Sequence, residues 1–295
     1  MARFSSIHLL FCEGPHDAAF LALLLRRVLG FERTQLKISE LPYPFSNIFR
    51  QSMLTRSAED LRLDLAKKFF LPDFLLTKGE TLVMIFNSGG TSRRTESISP
   101  FLSDVFELLA VQSSFGGLAE DGASAKVRYA VFADADSIGS KLALELIQKD
   151  LAMIGDQEWL KVEWTPFGET RAVTQSTPNG EVSAYIWRQW SQDTGTLEDI
   201  TLECLSGSGS ILKTFEFLDQ RFSWTPAKQA KPDQVCALAA KRLKAAICVE
   251  GQREKPGGSL SVILDQTSLL TTENLAKSQS VQDCVRFLNQ WITSN

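Results

Sequence analysis

Two acids, Glu13 and Asp17, follow directly on the apolar run "IHLLFC" at 7–12, and two more, Asp134 and Asp136, close a second such run in "VRYAVFADAD" at 127–136. If each run is a strand of a parallel sheet, the chain leaves its carboxyl end into the crevice where such folds bind ligands. Asp17 lies four residues past Glu13, so the first turn of a following helix brings it back toward the strand end. The spacing of two between Asp134 and Asp136 sends both side chains to one face of an extended chain, with Ala135 opposite. Four carboxylates at one rim repel and raise one another's pKa unless a cation lies among them. Mg²⁺, with Mn²⁺ as a substitute, suits such a set: it takes oxygen ligands, keeps several waters, and is held by one or two carboxylates plus a substrate phosphate. The chemistry would be the orientation and neutralisation of a phosphodiester around one or two ions.

The elements that must position these acids are legible as alternating patterns. Apolar runs at 7–12, 81–88 and 127–136 are each followed by a helical pattern: "PHDAAFLALLLRRVLGF", "SISPFLSDVFELLAVQ" and "SIGSKLALELIQKDLAMIG". Alternation of strand and helix predicts a parallel sheet with helices on its faces. "TQLKISEL" reads as a short strand, and "SAEDLRLDLAKKFFLPDFLL" as an amphipathic helix ending near Pro72, so 41–80 is expected to be an excursion from the sheet. "LKVEWTPFG" at 160–168 reads as a further strand, and "GEVSAYIWRQW" at 180–190 fits strand or helix. From about 196 the pattern is helical: "TLEDITLECL", a flexible "SGSGS" at 206–210, "ILKTFEFLDQRF", "KPDQVCALAAKRLKAAICVE" and "SVQDCVRFLNQWI". The expected division is an α/β domain over 1–195 and a mainly helical extension over 196–295 that packs on it.

Bulk properties narrow the classes. The 295 residues, 44% hydrophobic and 22% charged, suit a soluble globular chain rather than a disordered one. No apolar run reaches the length of about 20 residues that spans a bilayer, and the N-terminal run is too short for an export signal, so a cytoplasmic protein away from membranes is expected. Five scattered cysteines without a CxxC pair indicate neither a disulfide framework nor a zinc ribbon. A net charge of -4 argues against a surface coated for permanent nucleic-acid binding, although local basic patches are compatible with it. With only His8 and His16 present, a mechanism that needs more histidines is excluded, and carboxylate chemistry is expected.

"EGPHD" at 13–17 and "DADSIG" at 134–139, each closing an apolar strand and in this order, resemble the two motifs of the Toprim domain, which is shared by type IA and type II topoisomerases, bacterial primases, overcoming-lysogenization-defect nucleases and recombination-repair proteins. The resemblance covers roughly residues 5–155, with a longer interval between motifs than in minimal members, and "IFNSGGTSRR" fits the Gly-containing turn common after a middle strand. It implies a Rossmann-like parallel sheet and Mg²⁺-dependent phosphoryl transfer on nucleic acid, DNA or RNA. Glu13 would be metal ligand and general acid or base, Asp134 and Asp136 metal ligands, and Asp17 a ligand to a second ion. The second half is similar to standalone Toprim-related bacterial proteins. By that likeness Glu198 is the candidate fifth metal acid with Asp199 its alternate, and Lys244 stabilises phosphate or transition state. No P-loop, primase zinc module or strand-passage machinery accompanies the motifs, which favours a nuclease over a topoisomerase. The rival expectation is a non-catalytic Toprim-like module that binds nucleic acid, a nucleotide or a protein partner; a homodimer is compatible with either.

Each feature also has a plain structural reading. Glu13 and Asp17 are acids at a helix N-terminus, favoured there by about 0.3–1 kcal/mol. Asp134 and Asp136 are a strand end with helix-capping duty. "SGG" at 88–90 is a turn, Arg93 and Arg94 a solvated pair, "KRLK" at 241–244 a solvated stripe, His16 incidental, and Trp187 and Trp190 packing residues. The conjunction of the two acidic pairs is what none of these readings explains.

Overall fold

The computed structural model describes residues 4–54, 70–114, 125–160, 165–166, 172–177, 180–206 and 209–293. Its elements in chain order are β1 (Ser6–Cys12), α1 (Pro15–Arg27), β2 (Glu32–Arg33), α2 (Phe45–Leu54), β3 (Phe74–Lys78), β4 (Thr81–Asn87), α3 (Arg94–Ser114), β5 (Lys126–Asp134) and α4 (Ser140–Asp150). They continue with β6 (Met153–Ile154), β7 (Gln157–Glu158), β8 (Thr165–Pro166), β9 (Ala172–Thr177), β10 (Gly180–Trp187), α5 (Leu197–Leu205), α6 (Gly209–Arg221), α7 (Pro232–Gly251), α8 (Leu260–Gln266), α9 (Thr272–Lys277) and α10 (Gln279–Thr293). Among the described residues no helix is long and apolar enough to cross a membrane.

Eight strands form one sheet in the order β2-β3-β4-β1-β5-β10-β9-β8. The four central strands are mutually parallel: β1 lies between β4 and β5, and β10 flanks β5. The outer strands β2, β3, β9 and β8 are antiparallel additions. The central strands read as continuous apolar runs because helices cover both of their faces, as parallel pairing demands. Leu10, Ile85, Ala130, Phe132 and Tyr185 face α1 and the helices after 196. Leu9, Phe11, Met84, Phe86 and Val131 face the side of α2, α3 and α4. Helix α1 is buried along its whole middle, from Ala18 to Leu25, since it is clamped between the sheet and the C-terminal helices. The helical C-terminal segment is therefore one layer of a three-layer sandwich, sharing a core with the sheet.

Several expectations are corrected. The 41–80 interval returns to the sheet as β3, which pairs antiparallel with β4, because "FLLTK" and "TLVMIFN" are joined by a tight turn at Gly79, φ +57. "TQLKISEL" holds a 3-10 turn at Ile38–Glu40 rather than a strand; most of the helix expected up to Pro72 falls on residues outside the described ones, Phe70–Pro72 are not helical, and the "FLL" beyond Pro72 is strand. "GEVSAYIW" is strand β10. Of "LKVEWTPFG" the described strand is Thr165–Pro166 alone. Gly209 and Ser210, expected as linker, open α6.

Candidate active site

Glu13 is the first residue past β1. Its carbonyl accepts the Gly90 N–H at 2.7 Å, and the Cys12 carbonyl accepts the Ser88 N–H at 2.9 Å, so the turn after β4 is laid against the start of the acidic loop. That turn needs left-handed backbone, and Gly89 and Gly90 supply it at φ +80 and +120. Asp17 is the third residue of α1; its Oδ2 accepts the Gly14 N–H at 2.8 Å, closing the helix end from within. The capping reading of Asp17 is thus correct, and the same bond points its carboxylate at the rim. Cys12 donates its thiol to the Phe86 carbonyl at 3.2 Å, and burial, with the acids nearby, pushes that thiol well above its usual range. Its side chain packs in the core beneath the rim.

Asp134 ends β5, and its Oδ1 accepts the Leu197 N–H at 2.9 Å, the first free donor of α5. Asp136 departs from the expected geometry: it is left-handed, φ 47, so strand alternation does not set its direction. Instead its N–H and carbonyl exchange hydrogen bonds with Gly195 at 2.9 and 3.0 Å. Gly195 is at φ +131, and a Cβ there would meet the Gln189 nitrogen at 2.7 Å, so only glycine fits the crossing. This pairing delivers the start of α5 to the rim. Glu198, its second residue, is buried, and Lys244 of α7 holds its Oε1 at 3.4 Å. Asp199 faces elsewhere, capping α5 through the Thr196 N–H at 2.8 Å and accepting Gln189 Nε2 at 3.0 Å. Between the two acids of "TLED", Glu198 is the one at the rim.

The titration behaviour ties these groups together. Burial raises Asp17 to about 7, helped by Glu13 and Glu198 and opposed by the Gly14 N–H and Lys244. Burial lifts Asp134 well above the carboxylate range, with Asp17, Glu198, Glu13 and Asp136 adding to it. Asp136 is raised by burial and Glu198, against Lys244. His16 is not incidental to this field: burial and Lys244 lower it, and Glu198 opposes. Glu13, Asp17, Asp134, Asp136, Glu198 and Lys244, spread over 232 residues of chain, therefore share one electrostatic site.

Arg93 and Arg94, just beyond the "SGG" turn, read in the sequence either as a solvated pair or as a grip on phosphates near the rim, with the solvated pair preferred. Arg94 is buried, with its guanidinium 3.4 Å from Glu13 Oε1 and 3.0 Å from Asp150 Oδ2. The solvated reading holds for exposed Arg93 and fails for Arg94, whose acceptors lie 81 and 56 residues away. The one available signal was its place just behind the "SGG" turn. In "KRLK", Arg242 forms a bidentate pair with Asp219 and covers Phe215, while Lys244 turns to Glu198. Trp187 is core, as expected, but Trp190 is half exposed, since it follows the last sheet position of β10.

Of the five carboxylates, Glu198 is paired with Lys244, which also acts on Asp17 and Asp136, and Glu13 is paired with an Arg94 already shared with Asp150. The raised carboxyl groups are the mark of negative charge left uncompensated in a partly desolvated place. Among the described residues, no three His, Cys, Asp or Glu side chains come together as a ready coordination cage. An all-oxygen donor set with surplus charge is nevertheless what a hard, hydrated cation takes.

No family model and no curated protein matches the chain. Among solved structures, a hypothetical protein from Pyrococcus horikoshii is similar over 97% of this chain and 95% of its own, at 15% identity and a TM-score of 0.42. A likeness at that level carries no argument about function.

Proposed function

We propose that the acidic rim is a Mg²⁺-dependent phosphoryl-transfer site of the Toprim type that hydrolyses phosphodiester bonds in nucleic acid. The observation that carries the reading is the convergence of acids from three separate segments at the carboxyl ends of β1 and β5, where Asp134 meets the start of α5 that brings Glu198; burial raises Asp17, Asp134 and Asp136 there, with Glu198 adding to each. Glu13, Asp134 and Asp136, with Asp17 and Glu198, would hold the ion, and the bound ion would supply neutralisation of the phosphate and an activated water. The chain's own part is separable from that. Arg94 fixes the Glu13 carboxylate from one side, leaving the group at the strand end to hold or release a proton. Lys244, a mobile point charge on a half-exposed stem, offsets Glu198 and is placed to meet a phosphate oxygen.

The test is cleavage of single- and double-stranded DNA and RNA by purified protein in Mg²⁺ or Mn²⁺, run beside Glu13→Gln and with a calorimetric Mg²⁺ titration of wild type and Asp134→Asn. Turnover lost in Glu13→Gln, with ion binding weakened in Asp134→Asn, supports the reading. Absence of turnover on all four substrates, together with ion affinity indifferent to both changes, removes it. Ion binding without turnover would instead favour the non-catalytic module.

A further inference from the structure

The same strands that end at the acids begin at a cavity of the opposite charge. Its volume is ≈ 510 Å³, and it opens where β1, β4 and β5 start. The register places Ser6 of β1 level with Thr81 of β4 and Lys126 of β5, and all three line the space. Two more cations join Lys126. Arg128 lies two residues further along β5, and Lys78 comes from β3 across the β3–β4 turn. Among the described residues no carboxylate lines the cavity itself, and Glu181 reaches Arg128 from beside it.

The three cations are held in different ways. Arg128 is anchored, donating Nη1 to the Trp291 carbonyl at 2.7 Å with its Nε 3.9 Å from Glu181. Lys78 donates one of its three N–H groups to the Leu29 carbonyl at 2.7 Å, and its ammonium sits 5.9 Å above the Phe31 ring. Lys126 meets no acid among the described residues. Arg128 is already opposed by Glu181, and the two lysines that share its concavity leave positive charge there that a polyanion compensates. The remaining wall is apolar: Leu29, Phe31 and Ile292. The volume falls within the range of about 300–1,000 Å³ typical of small-molecule sites.

We propose that this cavity binds a small phosphorylated metabolite of the nucleoside diphosphate class, its phosphates toward Lys78, Lys126 and Arg128 and its ring system along Phe31, Leu29 and Ile292. Charge demands two or more negative charges, the apolar wall demands a ring body, and the size excludes a polymer strand. The site is independent of the acidic rim. Strand rise puts Lys126 about 26 Å from Asp134 along β5, so one ligand does not span both.

The test is calorimetric titration of the full chain with ADP, adenosine and pyrophosphate in EDTA, which keeps a metal–nucleotide complex from the acids. Saturable ADP binding is expected, with affinity reduced by about tenfold or more in Lys78→Ala and in Lys126→Ala. Both side chains are exposed, so neither variant should lose its fold, and circular dichroism checks that it has not. Adenosine and pyrophosphate are each expected to bind about tenfold more weakly than ADP, since each keeps half of the contacts. Asp134→Asn should leave ADP affinity unchanged. No saturable binding at millimolar ADP, or affinity surviving in the double lysine variant, overturns the proposal. So does affinity lost in Asp134→Asn and kept in the lysine variants, which would place the nucleotide at the rim.

Discussion

The two ends of the central strands are built from the same backbone and carry opposite charge. At the carboxyl end, burial raises Asp17, Asp134 and Asp136, with Glu198 adding to all three and Glu13 to the first two, beside Lys244 and an arginine shared with Asp150. At the amino end, Lys78, Lys126 and Arg128 line a cavity whose lining among the described residues includes no acid, with Glu181 beside Arg128. The difference lies in how the charges are fixed. Asp17, Asp134 and Asp136 are each fixed by backbone: Asp17 by the Gly14 N–H, Asp134 by the Leu197 N–H, Asp136 by its two bonds to Gly195. Two of the three lower cations reach in as exposed lysines. Rigid placement of like charges costs stability and is expected where a reaction demands geometry, whereas flexible placement suffices for binding.

The comparison breaks most sharply on turnover. Glu13→Gln should lower Mg²⁺-dependent phosphodiester cleavage by about 10²–10⁴-fold, whereas Lys126→Ala should leave it unchanged; a gel assay over both variants decides it. Equal losses in both would dissolve the distinction between the two ends.

Stability gives the next contrast. Arg94 is 3% exposed between two carboxylates, so Arg94→Met leaves Glu13 and Asp150 without their cation and should cost about 2–4 kcal/mol in urea unfolding. Lys126→Met, at the exposed start of β5, should fall within about 0.5 kcal/mol of wild type. A smaller loss is expected from Gly195→Ala, about 1–3 kcal/mol, because φ +131 and the Gln189 backbone both oppose a Cβ. Since Gly195 holds Asp136 and introduces Glu198, that variant should also weaken Mg²⁺ binding. Lost stability with intact ion affinity would mean that the crossing is scaffold alone.

The smallest effect has the opposite sign. Asp17 holds its proton up to about pH 7 when folded, against an ordinary carboxyl value of 3.8. The folded state therefore binds more protons than the unfolded one between these values. Stability in EDTA should fall as pH rises through that window, and the loss is complete above about 7. Asp17→Asn keeps an acceptor for the Gly14 N–H and removes the repulsion. It should stabilise the metal-free protein by about 1 kcal/mol at pH 8, with the gain fading toward pH 4 in thermal melts. A gain that did not vary with pH would mean that charge is not its cause.

The sequence by itself determined three of the four central parallel strands, the helices that follow them and the positions of four acids at strand ends, because each of these rests on short-range regularities, whereas β10 fitted strand or helix until its pairing with β5 decided it. An apolar run bounded by turn residues, followed by helical periodicity, is a local property of 81–114 or 127–150, and carboxylates at strand ends follow from it. Tertiary structure decided what depends on pairing between distant segments. Strand β3 is a strand because β4 offers it an edge, and Asp136 is aimed by Gly195 rather than by its own pleat. Glu198 rather than Asp199 reaches the rim because Thr196 claims the latter, and Arg94 is buried because Glu13 and Asp150 converge on it. The basic cavity has no signature in the chain at all. Lys78, Lys126 and Arg128 become neighbours only through strand register, which is set by hydrogen bonding between segments that no local pattern encodes.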